Sequence, residues 1–161
     1  MIHRFSPPRV ITLLTLILAI AACSEAESSS PMAFPTTPLL DPNSATEAQL
    51  LEAPGFTAQL VEKIIAGRPY TAPSALHAAI GADLNENSQQ LVYGSVFIKV
   101  GLNTGTENDY KLIPSTMSPR KLAHEFDEYR PYESIEQFRR EMAKYVSDEE
   151  VDYLTRYVTL E

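Results

Sequence analysis

Pro42-Asn43-Ser44-Ala45-Thr46-Glu47 and Leu102-Asn103-Thr104-Gly105-Thr106-Glu107 carry one pattern twice, sixty positions apart. Pro54 returns as Pro114 at the same offset. Two extra residues then shift the offset to 62. Beyond them Leu60 matches Leu122, Arg68-Pro69-Tyr70 matches Arg130-Pro131-Tyr132, Leu76 matches Phe138 and Ile80 matches Met142. An ordered series that keeps register across one small insertion is the mark of an internal repeat. It divides the chain into two copies, residues 40–100 and 101–161.

Each copy reads as four short helices, so the expected fold is all-α. Ser44-Ala45-Thr46-Glu47 and Thr104-Gly105-Thr106-Glu107 fit the S/T-x-x-E capping box, which satisfies free N–H groups at a helix start. Thr46-Glu47-Ala48-Gln49 offers a competing start two residues on. The first helix should end at Pro54 or Pro114, because the residue before proline is pushed out of helical geometry. The second carries Leu60, Ile64 and Ile65, or Leu122 and Phe126, at the i, i+4 spacing of an inward face. Arg-Pro-Tyr breaks the chain, with the tyrosine expected to pack back as an anchor. The third helix carries Leu76 and Ile80, or Phe138 and Met142. The fourth begins after Asn85 or after Ser147, with Ser147-Asp148-Glu149-Glu150 as a further capping box, and supplies Leu91 and Val92, or Val151 and Leu154. Phe97–Val100 and Tyr157–Leu160 are short β-prone tails.

The N-terminus reads as a targeting segment. Arg4 and Arg9 precede an uncharged apolar run, Val10–Ile20, which is shorter than the roughly 20 residues a spanning helix needs. Ile20-Ala21-Ala22-Cys23 resembles the lipobox of bacterial lipoproteins. That resemblance implies cleavage of residues 1–22, lipidation of Cys23 by acyl chains of the palmitate type, and anchoring to a membrane. Cys23 is the only cysteine in the chain, whereas exported domains normally pair their cysteines in disulfides. Ser24, by the same resemblance, implies sorting to the outer membrane, facing the periplasm. Residues 23–39, rich in serine, proline and threonine, are expected to be a flexible tether.

Charge narrows the partners. The chain holds 13 Lys+Arg and 21 Asp+Glu. The first 22 residues hold two of the basic residues and none of the acids, so the remainder carries 11 against 21, a net −10. Such acidity fits poorly with nucleic acid, whose binding is dominated by neutralised phosphates.

Asn43-Ser44-Ala45-Thr46-Glu47-Ala48-Gln49-Leu50 running into Pro54-Gly55-Phe56, with a later Arg-Pro-Tyr-x5-Leu, resembles the helix-hairpin-helix modules of ComEA-type competence proteins and of the photosystem II extrinsic protein PsbU. The likeness covers residues 40–100 and, more weakly, 101–161. It implies two tandem helix-hairpin-helix modules. In the DNA-binding versions, hairpin glycines bring backbone N–H groups against a phosphate, and the next helix adds its positive dipole end. The residues that would carry such a role here are Pro54, Gly55, Phe56, Thr57 and Lys63, with Arg120 and Lys121 in the second copy. Thr57 stands where the family has its second glycine, the turn before the fourth helix contains Asp83, and Pro114-Ser115-Thr116-Met117 has no glycine at all.

No catalytic constellation is visible. His77 and His124 have no second histidine or cysteine at ligand spacing, and His124-Glu125 lacks the second histidine of the zinc-protease pattern. The expectation is a non-enzymatic protein-interaction module without cofactor or metal, lipid-anchored in the cell envelope with an envelope protein as partner. DNA binding at the envelope is the alternative.

Overall fold

In a computed structural model describing residues 34–161, those described residues form eight α-helices and one short parallel strand pair. The targeting segment, Cys23 and the first part of the tether lie outside the described residues. The helices are α1 (Glu47–Glu52), α2 (Ala58–Ala66), α3 (Pro73–Ile80), α4 (Glu86–Ser95), α5 (Glu107–Tyr110), α6 (Pro119–Glu128), α7 (Ile135–Met142) and α8 (Asp148–Thr155). A 3-10 turn, Gly81–Asp83, separates α3 from α4.

Both first helices begin two residues later than the Ser44–Glu47 and Thr104–Glu107 boxes predict. Thr46 and Gln49 form a reciprocal box at α1, and Thr106 and Asp109 form one at α5. The second pairing is available because Asp109 is short enough to return to the Thr106 backbone. Both helices also stop short of their prolines: α1 ends at Glu52, and α5 is a single turn ending at Tyr110. At α8 only half of the predicted box forms. Ser147 accepts from the Glu150 N–H, but the Glu150 side chain turns away to other partners.

The two halves repeat one set of long-range contacts. The Asn43 side-chain amide donates to the Tyr70 carbonyl at 2.8 Å, and the Tyr70 N–H donates to Asn43 Oδ1 at 2.7 Å. Asn103 and Tyr132 make the same pair at 3.0 and 2.7 Å. Arg68 donates to the Pro42 and Ala45 carbonyls, and Arg130 donates to those of Leu102 and Gly105. The peptide bonds Arg68–Pro69 and Arg130–Pro131 are both cis. Each tyrosine is buried and donates its hydroxyl to a carbonyl of the preceding helix, Tyr70 to Ile64 at 3.0 Å and Tyr132 to Glu125 at 3.4 Å.

Each half is closed by a parallel pairing of its first and last residues. In the first half Leu40 bridges Val96, with the Leu40 N–H donating to Ser95 and the Phe97 N–H to Leu40. In the second, β1 (Val100–Gly101) pairs with β2 (Val158–Thr159), Val100 opposite Val158. Val100 therefore serves as the first residue of the second half as well as the end of the first tail.

A single apolar core runs through both halves. Leu50, Leu60, Ile64, Leu76, Ile80 and Val92 join Tyr110, Leu122, Phe126, Phe138, Met142 and Leu154 in one buried cluster. Two expected core positions lie outside it: Ile65 is exposed, and Leu91 is 53% exposed. On α2 the buried stripe is Leu60, Val61 and Ile64, so the apolar face is rotated toward Val61 and away from Ile65. Contacts between halves are specific. The Asp109 carboxylate accepts from the Ser74 N–H at 3.0 Å, supplying the cap that Ala72 cannot give α3. The Tyr157 hydroxyl donates to the Tyr93 carbonyl at 3.2 Å, and the Phe97 and Tyr157 rings meet edge-on at 5.1 Å.

Residues 34–39, which composition alone reads as tether, lie along this body. The Phe34 ring is 4.8 Å from that of Tyr153, and the Arg156 guanidinium donates to the Pro35 and Thr37 carbonyls. Proline and serine content describes what a segment can bury by itself; here Phe34 and Leu39 find apolar partners supplied by the folded body.

Candidate functional site

The first hairpin joins α1 to α2. Ala53 is the C-cap of α1, and the Phe56 N–H closes a turn onto its carbonyl at 3.3 Å. Gly55 has φ +83°, a left-handed geometry that L side chains rarely adopt. A methyl group there would also sit 3.0 Å from Leu91 Cβ, so the turn is seated on α4. Thr57 caps α2 by accepting from the Leu60 N–H at 3.3 Å. Pro54, Gly55 and Thr57 are exposed, and Phe56 is half-buried against the core. Lys63, the nearest base in sequence, lies 2.5 Å from Asp83 in an ion pair.

The second hairpin is organised around a carboxylate. Glu150, 2% exposed, accepts from the Ser115 hydroxyl at 2.6 Å, the Thr116 N–H at 2.7 Å and the Thr116 hydroxyl. The Met117 N–H folds back onto Ser115 Oγ at 3.0 Å. Two hydroxyls and a backbone N–H converging on an anion are the kind of donors a phosphate site would use. In this hairpin they are committed to the chain's own carboxylate.

Arg120 and Lys121 follow in the first turn of α6, after the Ser118 cap and Pro119. The Lys121 ammonium stands over the Tyr145 ring, 5.3 Å from its centroid. Arg120 shares a cleft of about 570 Å³ with Glu107, His124 and Asp127. The expected site residues therefore fall into separate settings. Pro54, Gly55, Phe56 and Thr57 form one turn, Lys63 is paired with Asp83, and Arg120 and Lys121 line a surface of mixed charge.

Three features escape sequence reasoning. The first is the Glu150 clasp, which depends on α8 packing beside a loop 34 residues earlier in the chain. The second is a groove of about 340 Å³ beside the first hairpin, lined by Thr37, Pro38, Leu40, Glu52, Pro54 and Ser95 among others. It exists because residues 37–40 lie next to the end of α1. The third is the convergence of His124, Glu125 and Glu128 on α6, whose candidate ligand atoms all lie within 4.8 Å of one another. The i, i+1, i+4 spacing of these three residues was a signal that could have been read from the sequence.

His77 Nδ1 lies 2.7 Å from the Tyr93 hydroxyl, and burial raises the Tyr93 pKa. That pair joins α3 to α4. Among the described residues, no helix is long and apolar enough to cross a membrane. No protein-family model matches the chain, and no curated protein or solved structure matches it.

Proposed function

We propose that this chain is a non-enzymatic protein-interaction module, made of two tandem helix-hairpin-helix copies and held in the bacterial cell envelope by lipid on Cys23. The observation that carries the reading is the engagement of the hairpins' polar groups within the chain itself. Lys63 is neutralised by Asp83, and the donors of the second hairpin are filled by Glu150. Two large apolar side chains remain open near the first hairpin. Leu51 on α1 is 46% exposed, and Leu91 on α4, against which Gly55 is seated, is 53% exposed. Exposed leucines suit a protein partner better than a phosphate backbone. The acidic balance of 21 Asp+Glu against 13 Lys+Arg points the same way.

Crosslinking from membranes tests this reading. Partners captured by the wild-type chain should be lost from a Leu51→Asp/Leu91→Asp variant that retains its helical circular dichroism. Equal capture by both would remove the hairpin-1 surface from the account. Mass spectrometry of the mature N-terminus tests the anchor: a diacylglyceryl Cys23 is expected, and an unmodified terminus would overturn it.

DNA binding at the envelope is the second reading. What favours it is the exposed Pro54-Gly55 turn with Gly55 at φ +83°, the one hairpin element of the DNA-binding kind that is retained. Binding to duplex DNA at low salt that is lost in a Gly55→Ala/Lys63→Ala variant would establish it.

A further inference from the structure

We infer that residues 34–39 form a releasable strap, held by Arg156 and hinged at Leu40, that makes one wall of the groove beside the first hairpin. The chain running from Cys23 enters the described body through this segment. Phe34 packs its ring 4.8 Å from that of Tyr153 on α8. The Arg156 guanidinium lies over the Tyr153 ring, 5.5 Å from its centroid, and donates to the Pro35 and Thr37 carbonyls. A planar fork with several donors suits such a two-carbonyl grip. The strap then crosses to the first half, where Leu40 donates to Ser95 at 2.8 Å and accepts from Phe97 at 3.0 Å.

The clamp belongs to the second copy alone. Arg156 stands 62 residues after Gly94, the offset at which the copies match beyond the first hairpin. Pro35 passes beside Gly94, 4.0 Å from where a Cβ would stand. The strap is thus seated between two repeat-equivalent positions, one bare of side chain and the other supplying a cation. A residue of the second half thereby holds Thr37, which lines the groove with Pro38, Leu40 and, from the end of α1, Glu52, Ala53 and Pro54.

This way of holding the strap lets it leave without unfolding the body. Among the described residues, the backbone–backbone hydrogen bonds made by residues 34–40 are confined to Leu40. Residues 35–38 are exposed, and Phe34 is half-buried. Pro35 and Pro38 have no N–H to leave unpaired, and their fixed backbones lower the entropy lost on seating. A few contacts set against the ordering of six residues put the strap at the low-stability end of the molecule, so it opens before α2 or α3. Leu40, paired on both sides, is the hinge. Release takes Thr37 and Pro38 out of the groove wall and uncovers Tyr153. The device acts whatever the groove takes, so it does not rest on the interaction reading.

Backbone amide relaxation and amide chemical shifts of the full-length protein in detergent test it. Order parameters at Thr36, Thr37 and Leu39 should approach the rigid value of about 0.85 in the wild type. Arg156→Gln, which removes the fork, and Phe34→Ala, which lies outside every helix, should each lower them below about 0.6. Leu50 and Ile64 should keep their wild-type values in both variants. The Glu52 and Ala53 amide signals should shift in both, although neither Arg156 nor Phe34 lines the groove. Low order parameters in the wild-type strap, or high ones in both variants, overturn the clamp. A fall at Leu50 and Ile64 equal to that at Thr37 overturns the independent release. Unmoved Glu52 and Ala53 signals overturn the link to the groove.

Discussion

Asn43 grips the backbone of Tyr70 with both ends of its side-chain amide, donating to the carbonyl and accepting from the N–H. The partners are 27 residues apart, and the same clasp recurs between Asn103 and Tyr132. An amide matched to one peptide unit satisfies a donor and an acceptor together, in a place where α2 and α3, or α6 and α7, are separated by an irregular turn. No apolar residue can do this.

Replacing either asparagine therefore leaves two part-buried backbone groups unmatched. Asn43→Ala and Asn103→Ala should each destabilise the fold by about 1–3 kcal/mol. Urea unfolding monitored by circular dichroism measures this. Asn→Asp should do worse than loss of one bond implies, because a carboxylate cannot donate to the tyrosine carbonyl.

Asp109 carries a pH-dependent part of the stability. Burial pushes its carboxyl up, but hydrogen bonds from Thr106 and Ser74 outweigh burial and hold it below its ordinary value. A depressed carboxyl stabilises the fold above the unfolded value of about 3.9, and that contribution is lost as pH falls through the folded value. Asp109→Asn should cost about 1–2 kcal/mol at pH 7, where the charged cap on α3 is intact. The gap between variant and wild type should shrink as the solution is acidified below pH 4. A gap independent of pH would contradict this role.

Much of this framework was legible in the sequence, and the failures have a common cause. The 60-residue offset, the helix count, the caps at Asn85 and Ser147 and the buried faces at Leu76, Ile80, Phe138 and Met142 depend on local spacing, which the chain displays openly. The Asn43–Tyr70 clasp was half visible, since both residues recur at the repeat offsets, but nothing local says that they meet. Leu91 was misplaced because helical periodicity cannot say that a glycine turn, rather than a large side chain, will be its neighbour. Asp109 capping α3 and Glu150 clasping Ser115 and Thr116 need the relative placement of distant elements. Residues 34–39 depend on partners that the body supplies. The turn itself was legible at Pro54-Gly55, yet the pairing of Lys63 with Asp83 and of the second hairpin's donors with Glu150 was visible only in outline, through the acids near each turn.

The Glu150 clasp should be a structural requirement. Glu150→Ala leaves the Ser115 and Thr116 donors without their acceptor and is expected to cost about 2–3 kcal/mol. Amide exchange at Thr116, whose N–H donates to Glu150, should accelerate more than exchange in α2 of the other half. Uniform acceleration across the chain would instead show that the clasp is coupled to global unfolding.

Gly55 should tolerate no side chain. Its φ of +83° and the 3.0 Å approach of a methyl to Leu91 both oppose Gly55→Ala. A loss of about 1–2 kcal/mol is expected from the backbone term. Leu91→Gly in the same chain removes the Cβ that the new methyl would meet, and should relieve that steric part and leave the backbone part. A thermal-melt cycle over the four variants separates them.

The proposal that both hairpins have exchanged phosphate for internal and protein contacts is tested most directly by fluorescence anisotropy of labelled duplex DNA, titrated with the full-length protein at low salt. The account predicts no salt-sensitive binding up to about 100 µM, the weak end of ordinary non-specific affinity. Micromolar binding that weakens as salt is added, and that disappears in Gly55→Ala/Lys63→Ala, would contradict it.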